Sequence, residues 1–193
     1  MQLSGTTTLL GLIGSPVAHS KSPAMYNYCF RKFHMDCAYL AFDVAADQVE
    51  QSVKAIRTLH MRGANVTMPF KTTVVPYLDR LTPAAETIQA VNTLVNEDGF
   101  LVGYNPDGCG CTQNLRRNGI EVAGKKITLI GCGGVGSSIA VQVALEGAAE
   151  LAIFNRKDKF WPSIEERMEA IHKVAPNCVL SLHDLADQDA LHE

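Results

Sequence analysis

Apolar positions along the chain switch repeatedly between two spacings. Leu9 to Gly14 is a short apolar run of strand length, and Met25, Cys29, Phe30 and Phe33 then recur at helical spacing after Ser22-Pro23. Tyr39 to Val44 reads as strand again, followed by Val49, Val53, Ile56 and Leu59 on one face of an amphipathic helix. Residues 64–68, Ala-Asn-Val-Thr-Met, form a third strand in which Val66 and Met68 face the core and Pro69 ends the run. A short proline-bounded element, the run Leu78 to Leu81 and a capping-box-like Thr82-Pro83-Ala84-Ala85-Glu86 come next. Residues 92–105 make a hairpin with Asp98-Gly99 at the turn, and helix resumes near Asp107.

After Gly119 and Gly124 the pattern restarts. It gives a strand over 125–131, a glycine-rich turn, a helix bearing Val135, Ile139 and Val143, and a strand over 151–155. A helix near 163–174 and a strand at 178–182 follow. Strand–helix alternation on both sides of residue 105 predicts an α/β protein with parallel sheets, divided into 1–105 and 106–193. A doubly wound dinucleotide domain has about six strands, with its crevice where the strand order reverses. The second segment reaches about half of that and reads as an incomplete Rossmann domain, either a fragment or one whose open face something else covers.

Composition narrows the classes. With 47% hydrophobic and 19% charged residues the chain affords a sizeable core. A net charge of −3 and a pI near 6.1 argue against a sequence-independent grip on nucleic acid or an anionic membrane. No apolar run nears the roughly 18 residues of a spanning helix. The opening Met-Gln-Leu-Ser-Gly lacks a basic n-region, so the apolar stretch after it is read as a strand, not a signal peptide. The six cysteines lack paired C-x-x-C spacing, and Cys109-Gly110-Cys111 is too tight for an ordinary zinc knuckle. They read as free thiols of a reducing cytoplasm, and no metal site is expected.

Gly131-Cys132-Gly133-Gly134-Val135-Gly136 fits G-x-G-x-x-G between a predicted strand and a predicted helix. In that context Gly131 permits a tight turn, Gly133 lets backbone approach a pyrophosphate, and Gly136 allows close helix–strand packing. Asn155, Arg156, Lys157 and Asp158 follow the next strand, where an acidic group would meet the ribose of NAD and an arginine the 2′-phosphate of NADP. Both kinds are present, which favours dual use, with solvated loop charges as the plainer alternative. In the first segment, Ser20 and Ser22 precede a helix start. They suit either a small anion such as a carboxylate or simple N-capping by Ser22 with Pro23 at the first helical position. Asn65, Thr67, Lys71, Asn92-Thr93, Asn105 and Asp107 add amides, hydroxyls, an ammonium and a carboxylate, a set suited to a small polyhydroxylated ligand and proton transfer.

Taken together, Gly14-Ser-Pro-Val-Ala-His-Ser-Lys-Ser-Pro23, Asn65-Val-Thr-Met-Pro-Phe-Lys71, Ala90-Val-Asn-Thr93, Gly103-Tyr-Asn-Pro-Asp-Gly108 and Gly131-Cys-Gly-Gly-Val-Gly136 resemble the shikimate dehydrogenase family over almost the whole chain. Asn-Arg-Lys-Asp at 155–158 resembles most the quinate/shikimate branch, which accepts NAD or NADP. The resemblance implies a three-layer α/β substrate-binding domain ahead of the dinucleotide domain. It implies that Ser20 and Ser22 hold the substrate carboxylate, that Asn92 contacts ring hydroxyls with Thr67 lining the same pocket, and that Lys71 and Asp107 are the catalytic pair.

The implied reaction is reversible hydride transfer between nicotinamide and the ring alcohol or ketone carbon, within the shikimate pathway of aromatic biosynthesis or in quinate use. A cytoplasmic monomer or homodimer is implied, with a small-molecule substrate. Two departures stand out. Pro106 occupies the usual threonine place and biases Asn105 away from helical geometry. The family also continues beyond the position of Glu193, with segments that pack on the nicotinamide and a late glutamine for the substrate. The expectation from a different class is a non-catalytic binding module that keeps the polyol pocket.

Overall fold

The computed structural model describes residues 3–187, which divide into two compact units. The first runs to Ala85 and takes in Gln89–Asn105; the second holds Glu86–Ile88 and everything from Pro106 onward.

The first unit is a six-stranded mixed sheet in the order β2-β1-β3-β5-β6-β4. Its strands are β1 (Thr8–Gly14), β2 (Cys37–Asp43), β3 (Gly63–Val66), β4 (Arg80–Leu81), β5 (Thr93–Glu97) and β6 (Phe100–Tyr104). The alternation of side chains along each strand divides the core between the two faces of the sheet. Leu12, Val17, Phe30 and Tyr39 cluster beneath helix α1 (Ser22–Lys32). Ile13, Ala64, Val66, Leu94 and Leu101 cluster with Val49, Val53 and Ile56 of helix α2 (Val49–Thr58). Those three helical side chains are each worth about 1.5–3 kcal/mol of burial, so α2 is held by its stripe more than by helix propensity.

Hairpin β5–β6 turns at Asp98 and Gly99 with φ of +53° and +94°, the positive pair a type I′ turn needs. Helix α3 (Pro83–Ile88) begins where Thr82 Oγ1 accepts the Ala85 N–H at 3.4 Å.

The second unit stacks three parallel strands in the order β7-β8-β9: β7 (Lys126–Ile130), β8 (Glu150–Asn155) and β9 (Val179–Asp184). Helices α4 (Asp107–Arg117), α5 (Gly134–Leu145) and α6 (Trp161–Val174) accompany them, and Ala140, Val143, Leu151, Ile153, Ile164 and Ile171 are buried.

Several expected positions differ. The third strand ends at Val66, so Met68 lies outside it, 67% exposed instead of core-facing. Met25, Phe33, Leu59 and Val135 also fall at helical spacing yet are exposed, because Phe30, Ile56 and Val143 supply the inward stripe. Ser22 is the first helical residue of α1, not its cap. The cap-like role goes to Ser20, whose Oγ accepts the Ser22 N–H at 3.2 Å. Pro106 leaves α4 intact: it sits at the N-cap position, where its carbonyl accepts the Gly110 N–H at 2.8 Å and no N–H is required of it.

Candidate active site

Five of the six strands of the first unit run the same way. β1 is parallel to β2 and β3, β4 is parallel to β6, and β5 alone opposes its neighbours β3 and β6. The carboxyl ends of β1, β2, β3, β4 and β6 therefore share one edge with the start of β5. Residues widely spaced in sequence meet along that edge: Ser20 in the loop after β1 and Ser22 at the start of α1, Thr67 and Lys71 after β3, Asn92 before β5, and Asn105 after β6. Such an edge gathers functional side chains because chain leaves the sheet there in loops.

Backbone hydrogen bonds lock these loops to one another. Thr67 N–H donates to Ile13 C=O at 2.9 Å, and Ser15 N–H donates to Met68 C=O at 3.2 Å. Lys71 C=O accepts the Val91 N–H at 2.7 Å, and Asn92 C=O accepts the Val66 N–H at 2.9 Å. The turn carrying Lys71 is fixed on both sides by Phe70 (2% exposed) and Val74 (0%), which enter the core while Lys71 stays partly exposed. Ser15 Oγ donates to Asp43 Oδ1 at 2.6 Å, which ties the loop after β1 to the end of β2.

The polar groups of the edge also bond to one another. Tyr39 donates its hydroxyl to Asn65 Oδ1 at 2.8 Å, and Asn65 Nδ2 donates to Thr93 Oγ1 at 3.2 Å. Thr93 donates to Asn92 Oδ1 at 3.0 Å, and Asn92 Nδ2 donates to Asn105 Oδ1 at 3.4 Å. Asn65 thus faces the α1 side of the sheet, where it lines a cavity with Tyr39 and Thr93 and bonds to both. In the sequence Tyr39 stands out only as the start of a strand-length apolar run, which gives its hydroxyl no role. Burial, with Tyr26 beside it, pushes its phenol well above the ordinary value, so it stays a proton donor in hydrogen bonding.

In the second unit the segment after β7 is built on backbone. Gly131 has φ of +91°, a left-handed turn that a side chain would strain. A Cβ on Gly136 would collide with the Gly131 carbonyl oxygen, whereas a Cβ on Gly133 or Gly134 would meet open space. Gly134, Val135 and Gly136 open α5, where amide hydrogens lack carbonyl partners in a preceding turn and no acidic residue stands in the first turn. Cys132 differs from its neighbours: its N–H donates to Asn155 Oδ1 at 3.0 Å and the residue is buried. Asn155 therefore braces the loop with its side chain. Asp158 Oδ1 accepts the Phe160 N–H at 2.9 Å, which leaves its other oxygen and the neighbouring Arg156 facing outward.

Comparison with known proteins decides the family. Residues 12–94 match the model of the shikimate dehydrogenase substrate binding domain. The shikimate dehydrogenase (NADP(+)) of Listeria innocua is 43% identical over 192 residues, covering 100% of this chain and 66% of that protein. That of Streptococcus uberis is 47% identical over 191 residues, covering 98% and 64%. A crystal structure of shikimate 5-dehydrogenase from Listeria monocytogenes, in complex with shikimate and NAD, superposes with a TM-score of 0.93 at 43% identity, covering 99% and 66%. The chain belongs to the shikimate dehydrogenase family. It spans 64–66% of the length of these relatives. Among the described residues no helix is long and apolar enough to cross a membrane.

Within the shikimate dehydrogenase frame, the matched residues 12–94 hold Ser20, Ser22, Thr67, Lys71 and Asn92. Asp107 lies outside that match, as the first residue of α4 in the second unit. The glycine-rich loop and Asn155 to Asp158 also lie in the second unit.

Proposed function

We propose that the chain binds a shikimate- or quinate-type ring and NAD or NADP, and serves reversible hydride transfer between 3-dehydroshikimate and shikimate, or 3-dehydroquinate and quinate. The observation that carries this reading is the sheet edge on which Ser20, Ser22, Thr67, Lys71 and Asn92 converge, in a domain matched to the substrate-binding family.

Each side chain has a role its chemistry suits. Ser20 Oγ accepts from the Ser22 amide and keeps its own hydrogen, so both serine hydroxyls donate to a substrate carboxylate. Thr67 and Asn92 meet ring hydroxyls. Lys71 and Asp107 handle the proton that leaves the alcohol oxygen on oxidation and returns to the ketone oxygen on reduction. Only Pro106 separates Asp107 from Asn105, whose side-chain amide meets that of Asn92.

The loop geometry suits a dinucleotide. The backbone of Gly131 to Gly136 offers amides to a pyrophosphate, with open space above Gly133 and Gly134. Asp158 suits a ribose 2′-hydroxyl and Arg156 a 2′-phosphate, in keeping with use of either NAD or NADP. The bound nicotinamide supplies or receives the hydride. Six free cysteines suit a reducing, cytoplasmic setting in aromatic biosynthesis or quinate use.

The test follows NAD(P)H absorbance with shikimate and with quinate, on this chain and on a form extended to the relatives' full length. Turnover that falls at least about a hundredfold in Lys71→Ala and in Asp107→Asn supports the reading. A well-folded extended form that turns over neither substrate sinks it.

A further inference from the structure

We infer that Tyr39 is a positioning residue, whose hydroxyl, at the head of a hydrogen-bonded series through Asn65 and Thr93, strengthens the hold on the Asn92 amide in the orientation that donates toward the ligand. The inference rests on the proposed role of Asn92 in meeting a ring oxygen.

Two backbone carbonyls determine the direction of the whole series. The Asn92 carbonyl can only accept, and Asn65 Nδ2 lies 3.4 Å from it, so the nitrogen of Asn65 must face that way. Asn65 then turns its oxygen to Tyr39, and the phenol must donate. At the other end the Ala90 carbonyl accepts from Asn105 Nδ2 at 3.2 Å, so Asn105 turns its oxygen toward Asn92. Asn92 must answer with Nδ2, which leaves its Oδ1 facing Thr93 and obliges the threonine to donate. The Thr93 oxygen is free to do so because its lone pair takes the Asn65 N–H.

Every donor along Tyr39, Asn65, Thr93, Asn92 and Asn105 thus points one way, an arrangement in which each bond polarises the next. Asn92 Nδ2 carries two hydrogens and gives one to Asn105, so the other is presented to a ligand oxygen. An amide free to flip would offer an acceptor there half the time. Tyr39 suits the head of the series: it is 1% exposed, it stacks on Tyr26 at 4.5 Å between ring centroids, and its backbone is clamped by Asn27 at both N–H and C=O. Its burial keeps the phenol protonated, so the donor at the head is permanent.

The experiment compares the full chain with Tyr39→Phe, Thr93→Val, Thr93→Ser and the double variant Tyr39→Phe/Thr93→Val. Shikimate affinity is measured by calorimetry, and the side-chain amide resonances of Asn92 by NMR. Tyr39→Phe and Thr93→Val each weaken shikimate binding about fivefold, the worth of one neutral hydrogen bond. Tyr39→Phe also shifts the Asn92 amide pair, although two side chains intervene. Thr93→Ser, which keeps the hydroxyl, restores affinity, and the double variant is no weaker than Thr93→Val alone because both break one series. Independent packing roles would instead multiply the two losses, and Thr93→Ser as weak as Thr93→Val would likewise overturn the inference. If the unsubstituted chain fails to bind shikimate, the proposed function fails, and the Asn92 resonances alone judge the series. A shift in Tyr39→Phe upholds it, and unchanged signals refute it.

Discussion

The segments after β3 and after β7 both leave a parallel strand at its carboxyl end, and they are built in opposite ways. After β3 the backbone is consumed: Thr67 N–H, Phe70 N–H and Lys71 C=O all have backbone partners. What remains to meet a ligand is side chains, Thr67 and Lys71, held in place because Phe70 and Val74 are sunk in the core. After β7 side chains are withdrawn. Gly131, Gly133 and Gly134 have none, Cys132 is buried, Val135 is exposed but apolar, and the polar groups that remain are amides at the start of α5. A small polyol with a distinct donor and acceptor at each carbon calls for individual side chains. A pyrophosphate, charged and nearly symmetric, is met by bare N–H groups and a helix end.

The largest expected effect strikes the anchored turn. Phe70→Ala removes a buried aromatic and should cost about 3–5 kcal/mol, read as a lower urea midpoint, with shikimate binding lost together with the order of the turn. Val135→Ala, at a side chain 57% exposed in the glycine-rich segment, should stay within about 0.5 kcal/mol. Equal losses at the two sites would erase the contrast.

Next come the glycines. Gly136→Ala forces a methyl against the Gly131 carbonyl and should destabilise the second unit by about 1–3 kcal/mol. Gly133→Ala meets open space and should leave thermal stability within about 0.5 kcal/mol while weakening dinucleotide binding about tenfold, because the methyl fills the room a phosphate needs. Titration with NADP and with NAD, alongside thermal melts, separates the two effects.

A smaller effect tests how the first sheet is held beyond the site. Asp79 accepts from the Leu101 N–H at 2.6 Å and from Arg57 at 2.7 Å. These bonds, the Leu101 amide foremost, hold its carboxyl below the usual value against the opposing effect of burial. A depressed carboxylate stabilises the fold above its unfolded pKa of about 4, and the contribution is lost as pH falls through the lower folded value. Asp79→Asn should therefore melt lower at pH 7, by about 1 kcal/mol, and the gap should close below about pH 4. A gap that stays constant into acid would show that charge is not what the aspartate supplies.

Much of this fold is written in local pattern. Val49, Val53 and Ile56 announce α2, Asp98-Gly99 announces the hairpin, and the apolar run from Leu9 announces β1, because period and turn chemistry are properties of neighbouring residues. The misreadings have a common cause. Met68 looked buried by alternation, but alternation ends with the strand, and the strand ends at Val66. Ser22 looked like a cap by type, but the accepting oxygen belongs to Ser20, two residues earlier. Tyr39 read only as the start of a strand, because nothing near it in sequence says that its hydroxyl reaches Asn65, 26 residues away. The candidate residues could be named from motif order, while the bonds that orient Asn92 depend on which strands are neighbours.

The most direct test of the central claim is a calorimetric titration of the chain with shikimate, repeated on Lys71→Met, which keeps the length of the side chain and removes its charge. The account predicts saturable one-to-one binding, weakened at least about tenfold in the variant with the melting temperature unchanged. A folded chain that gives no heat beyond dilution, or a variant that binds as tightly as its parent, would contradict it.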